Sequence, residues 1–157
     1  MKFLFFILTA SAFIACNNAD QPSAGVDQHK KDSLFTIKDS MAQIAMNDTT
    51  SYTTIEWLDP IQTDLGKITE GQQVEVSWRF KNSGSKPLII QNVSATCGCT
   101  VAERPEAPVA PGESSVIKAK FNSEGQHIGH VEKTVMVQAN TKGTTTHTLR
   151  FSAEINK

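Results

Sequence analysis

From Tyr52 onward the apolar residues of this chain recur at every second position, and that period limits its fold more than any other feature. Val74, Val76, Trp78 and Phe80 alternate with Glu75, Ser77, Arg79 and Lys81. Ile117, Ala119 and Phe121 alternate with Lys118 and Lys120, and Val131, Val135, Val137 and Ala139 share one face. Leu149, Phe151, Ala153 and Ile155 share another, with Arg150, Ser152 and Glu154 pointing the other way. Side chains of an extended strand point alternately to opposite faces, so each run is a ribbon with one water-avoiding side. Helices are disfavoured here because β-branched residues crowd the runs, as in Thr144-Thr145-Thr146-His147-Thr148.

Turn chemistry separates the runs: Glu70-Gly71, Asn82-Ser83-Gly84, Pro111-Gly112-Glu113, Asn122-Ser123-Glu124-Gly125 and Asn140-Thr141-Lys142-Gly143. Weaker runs at residues 61–68, 87–93 and 99–102 bring the total to about seven strands in about 100 residues, the proportions of an immunoglobulin-like β-sandwich. A small barrel is the rival arrangement. Either way Trp78, Phe80, Phe121 and Phe151 belong inside, where full burial of each such side chain contributes a few kcal/mol. The expected fold class is therefore all-β, with the sandwich occupying residues 52–157.

The front of the chain has a different character. Met1-Lys2 supplies a positive start, residues 3–15 are apolar and end in small residues, and Cys16 follows. That is the layout of a secretory signal over residues 1–15, too short to serve as a permanent membrane span. Phe13-Ile14-Ala15-Cys16 resembles a bacterial lipobox, although Phe13 stands where Leu is usual. The resemblance implies cleavage after Ala15 and lipidation of Cys16, so that acyl chains such as palmitate rather than a helix hold the protein to a membrane. The rival is an ordinary signal peptide that happens to contain a cysteine. Residues 16–51 then read as a lipidated tether. Its first part, from Asn17 to Gly25, is polar and flexible, and Leu34, Ile37, Met41 and Ile44 recur at helical spacing within residues 27–46. Residues 46–51 read as a second loop.

Composition narrows the partners. Fifteen Lys and Arg against sixteen Asp and Glu leave a formal charge of −1, without the basic surplus of a nucleic-acid binder. No apolar run reaches the length of a membrane-spanning helix. The expected location is the cell envelope, on the periplasmic or surface side. The expected partners are the membrane, through the lipid on Cys16, and an envelope protein.

A family resemblance rests on one ordered series of residues. Phe80-Lys81-Asn82-Ser83-Gly84, Pro87-Leu88-Ile89-Ile90, Thr96-Cys97-Gly98-Cys99-Thr100, Pro111-Gly112-Glu113, Ile117 to Asn122, Gly129, Lys133 and Asn140 resemble the bacterial envelope family called domain of unknown function 1573, with its Cys-Gly-Cys-Thr hallmark. The resemblance covers roughly residues 58–155. It implies an immunoglobulin-like fold, akin to the sperm-protein-like and pilus-chaperone-like sandwiches that are mostly binding modules. It implies no particular reaction.

Chemistry, if the chain carries any, centres on Cys97 and Cys99, the two cysteines other than Cys16. In a flat strand these positions face the same way, about 6.6 Å apart. Disulfides prefer Cα separations of about 5.5–6 Å, and Gly98 permits the dihedrals that would draw the two together. Three readings stay open: a local disulfide or paired thiols that only shape a strand start, a redox-active pair, and a soft-metal site with Cu(I) as the natural guest. Zinc is less suited, since four ligands at finger spacings are absent. His127 and His130 would diverge on a strand, while His29 falls in the leash and His147 beside a threonine-rich loop; all read as solvated, so no metal ligand is assigned.

No enzyme is expected. Ser83-Gly84-Ser85-Lys86 and Ser115-Val116-Ile117-Lys118 match Ser-x-x-Lys without its companion motifs, and no phosphate loop, nucleophile elbow or zinc-protease motif occurs. Glu56, Asp59 and Asp64 are scattered, and no cofactor signature is found. Residues 103–111 hold three of the six prolines and read as a stiff surface segment crossing between sheets, or as a recognition loop near the cysteines.

Overall fold

The computed structural model of the chain describes residue 40 and residues 42–157. The expected signal segment, Cys16, the flexible leash with His29, and most of the expected helix lie outside the described residues. Residues 42–47 are helical, with Ala42 and Ala45 buried and Ile44 67% exposed. The buried face thus differs from the expected stripe at its one described position. Ala42 and Ala45 are three apart and share a side, while Ile44 is turned some 100° from Ala45. Gln91 donates to Gln43 at 2.9 Å, and the Tyr52 hydroxyl donates to the Met46 carbonyl at 2.9 Å. Where a second loop was expected, the helix continues to Asn47, and Asp48 then caps a short 3-10 turn, Thr49–Ser51.

Among the described residues eight strands follow. They are β1 (Ile55–Trp57), β2 (Gln62–Thr69), β3 (Gln73–Asn82), β4 (Ile90–Ala95), β5 (Thr100–Glu103), β6 (Ser114–Asn122), β7 (Gly129–Ala139) and β8 (Thr146–Asn156). They form two four-stranded sheets, ordered β1-β3-β6-β5 and β2-β8-β7-β4. Every pairing is antiparallel except β2 with β8. Two separate sheets with four edges make this an immunoglobulin-like sandwich and not a closed barrel. Sequence reading missed β1, because Ile55-Glu56-Trp57 is too short to display a period.

The alternation of burial along each strand follows the alternation in sequence. Trp78, Phe80, Phe121, Phe151, Ile117, Leu149 and Ile155 are fully buried between the sheets. Phe121 meets Phe151 edge-on at 5.5 Å between centroids, and Trp57 meets Phe80 at 5.7 Å. Such geometry aligns the positive ring edge with the negative face of its neighbour. The Trp78 indole N–H is buried without a hydrogen-bond partner among the described residues. That omission costs about 1–3 kcal/mol. Burying ~200 Å² of indole at ~25 cal/mol per Å² returns about 5 kcal/mol, so the tryptophan still stabilises the core.

Candidate functional site

The two cysteines occupy the passage from one sheet to the other. β4 ends at Ala95 in the second sheet and β5 begins at Thr100 in the first. Between them the chain bends and turns, leaving the flat-strand geometry that Gly98 was read as permitting it to leave. A crossover of four residues must reverse direction and change layers, which an extended segment cannot do. The turn draws the Cys97 and Cys99 Cα atoms to 5.3 Å, and their sulfurs are joined at 2.02 Å. In this disulfide state neither sulfur is a thiolate, so Cu(I) binding would require prior reduction. Among the described residues no three His, Cys, Asp or Glu side chains gather as a metal site.

Backbone contacts hold both ends of this turn. Thr96 N–H donates to the Thr134 carbonyl on β7 at 3.1 Å, and Asn122 N–H on β6 donates to the Cys99 carbonyl at 2.9 Å. Closing a ring of three residues removes little chain entropy, about 1.5 kcal/mol against about 3 kcal/mol for fifteen residues. The disulfide is therefore a minor contributor to the fold. Both cysteines are half-buried, Cys99 packing against the core, whereas Thr100 is only 6% exposed. The Thr100 hydroxyl lies 3.6 Å from Cys97 Sγ and 3.9 Å from Cys99 Sγ. Sequence reading included Thr100 in the motif but assigned it no role.

The proline-rich segment does not cross between sheets. It joins β5 to β6, which are neighbours in one sheet. Nor does it lie beside the cysteines, since it leaves the far end of β5. Val109 and Leu88 exchange backbone hydrogen bonds at 2.8 and 2.9 Å and are both buried, and Arg104 Nη1 donates to the Ile90 carbonyl at 2.6 Å. An apolar Val109 seated over the core ties the segment down, which its prolines alone did not reveal.

That far end is closed by two asparagines that sequence reading took only for turn residues. Asn82, fully buried, accepts from the Thr53 hydroxyl and Gly84 N–H and donates to the Lys86 and Val109 carbonyls. Its amide thereby uses two acceptor and two donor positions, its full ordinary capacity. Asn140, 1% exposed, accepts from Ile89 N–H and donates to the Ser51 and Pro87 carbonyls. A Cβ on Gly84 would overlap Thr53 Oγ1 and stand 2.6 Å from Thr54 N, so only glycine fits there.

The remaining candidates stay apart. His127 Nε2 lies 3.2 Å from the His130 carbonyl, and His130 lies 3.9 Å from Glu154. His147 is half-buried, 5.9 Å from the Trp57 ring, and burial pushes its pKa below the usual 6.5. Since the Thr141 hydroxyl donates to the Thr144 carbonyl, its oxygen accepts from His147 Nε2–H at 2.8 Å. Ser83 bonds the Thr54 carbonyl and Lys118 pairs with Glu75, so neither Ser-x-x-Lys copy assembles a nucleophile with its base. Asp59 is held below the usual carboxylate range by hydrogen bonds from Arg79, and Asp64 caps Gly66 N–H.

The two packed sheets place this chain in the class of immunoglobulin-like sandwich domains. Residues 55–155 match the family described as protein of unknown function (DUF1573), and the chain belongs to that family. No curated protein matches. Among solved structures, a protein of unknown function from Porphyromonas gingivalis W83 aligns with TM-score 0.60 and 14% identity, covering 68% of this chain and 49% of that one. The alignment thus spans about half of that relative. A PapD-like domain of human CEP192 aligns with TM-score 0.50 and 13% identity over 68% of this chain and 87% of that domain. The Vibrio cholerae VesB protease aligns with TM-score 0.50 and 15% identity over 71% of this chain and 34% of that one. At such identities the likeness is one of fold.

Proposed function

We propose that this chain is a lipid-anchored envelope protein whose sandwich binds another protein by accepting one of its strands along the open edge of β2. The observation that carries this reading is the edge itself. At eight residues β2 is the longest of the four edge strands. β1 has three residues and β5 four, while the start of β4 is tied by Arg104. Arg150 N–H donates to the Ile61 carbonyl, so by the parallel ladder's alternation the Gln62 N–H and C=O face away from β8. Leu58 and Ile61, 44% and 49% exposed, stand just ahead of the strand as apolar anchors. An added strand gains its affinity from main-chain hydrogen bonds and its specificity from side chains beside them. A bulge between Asp64 and Lys67 interrupts the edge, which discourages indiscriminate pairing and leaves a short docking length.

Anchoring rests on Phe13-Ile14-Ala15-Cys16. Cys16→Ser is expected to move the protein from the membrane fraction to the soluble one; retention in the membrane would remove the lipid from the reading. For the edge, a photocrosslinker at Ile61, exposed just ahead of β2, is expected in intact cells to capture one recurrent envelope protein. Gln62→Pro removes one outward N–H without touching the β8 ladder, so it should abolish capture while changing stability by less than about 1 kcal/mol. Undiminished capture would place the partner elsewhere.

A further inference from the structure

The crossover turn is held by more than its disulfide, because Thr96 is bonded to β7 and Cys99 to β6 through the backbone. Gly98 is exposed, and the space a Cβ would occupy there is open. The cysteines on either side of it are themselves only half-buried. Behind them sits the Thr100 hydroxyl, nine-tenths buried, whose hydrogen-bond partners among the described residues are those two sulfurs. A disulfide sulfur is a poor acceptor and a thiolate a much better one, so a buried hydroxyl within reach of both sulfurs favours the state in which one of them is anionic and accepts its proton. Burial, access and the donor thus point to the same chemistry.

We propose that Cys97 and Cys99 form a reversible thiol–disulfide centre that accepts two electrons from a protein dithiol, with Thr100 stabilising the departing thiolate. A partner thiolate attacks one sulfur, an intermolecular S–S bond forms, and the Cys97–Cys99 bond breaks. The electron pair leaves on the other cysteine, within reach of the Thr100 hydroxyl, and that thiolate then takes a proton from water. The partner's second thiol loses its proton to water and attacks its own sulfur in the mixed disulfide, releasing the remaining cysteine, which is protonated in turn. The partner ends as a disulfide, and Cys97 and Cys99 end as two thiols. Two electrons and two protons have moved. This centre lies apart from the β2 edge, and neither reading depends on the other.

The test is a redox titration of the full chain against graded ratios of reduced and oxidised dithiothreitol, quenched by alkylation and read by mass spectrometry at Cys97 and Cys99. Circular dichroism follows the fold in parallel. The expected result is a reversible two-electron transition with the strand signal unchanged. Thr100→Val should slow reduction at least threefold and require at least threefold more reduced dithiothreitol at the midpoint, with Thr100→Ser within twofold of the native chain. Should Thr100→Val fail to fold, Thr100→Ala removes the same hydroxyl with less strain and decides the point. Reduction only upon unfolding, or a hydroxyl-free variant titrating like the native chain, would overturn the proposal.

Discussion

At one end of the sandwich the chain changes sheets through a four-residue turn closed by Cys97 and Cys99. At the other end Asn82 and Asn140 hold the loops together through buried amides. The covalent closure is the weaker device. Its ring is too small to restrict the unfolded chain much, and its turn is already bonded to both sheets. The amides are different, because each sits where water cannot replace a lost partner. Bond strength and contribution to stability are thus separate quantities: what counts is the change between the folded and unfolded chain. The end that needs least from its side chains is also the end where the proposed thiol–disulfide centre lies.

The comparison breaks most readily at Asn82. Asn82→Ala takes away the amide that the Lys86 carbonyl, the Gly84 N–H and the Thr53 hydroxyl bond to, leaves the Val109 carbonyl with Leu88 N–H alone, and should cost about 3 kcal/mol in urea unfolding. The double variant Cys97→Ser, Cys99→Ser should cost no more than about 1.5 kcal/mol by the same measurement. A loss equal to that of Asn82→Ala would reverse the ranking of the two ends. The smallest effect belongs to His147. Its folded pKa is depressed by burial, so the unfolded chain takes up the proton first as pH falls below 6.5. Stability should be full above that pH and decline as pH falls toward the folded pKa, and His147→Gln should flatten this part of the profile. Asp59 and Glu103, whose pKa values are lowered by Arg79 and Lys120, titrate below that window.

How much was legible depended on the range of the physics involved. Trp78, Phe80, Phe121 and Phe151 could be placed inside from their neighbours two positions away, since alternation is local. Cys97 and Cys99 could be seen as a pair, but as a pair on a strand; the turn exists because the chain changes sheets there. The segment around Val109 looked like a crossover by its prolines, whereas its attachment to Leu88 came from a bridge that no local pattern signals. Asn82 and Asn140 stood beside serine, threonine and glycine, so turn chemistry concealed their burial.

By itself the sequence determined the strand-rich domain, its apolar faces and the residues of its core, because a period of two and the cost of wetting apolar groups act within a few residues. Only the tertiary structure decided which strands became edges, why the cysteines meet at a turn, and what the buried amides hold. Those outcomes join residues far apart in the chain, Asn82 to Val109 over 27 positions and Asn140 to Ser51 over 89. A hydrogen-bond partner at that distance is chosen by the packing of two sheets, which no short stretch of chain can specify alone.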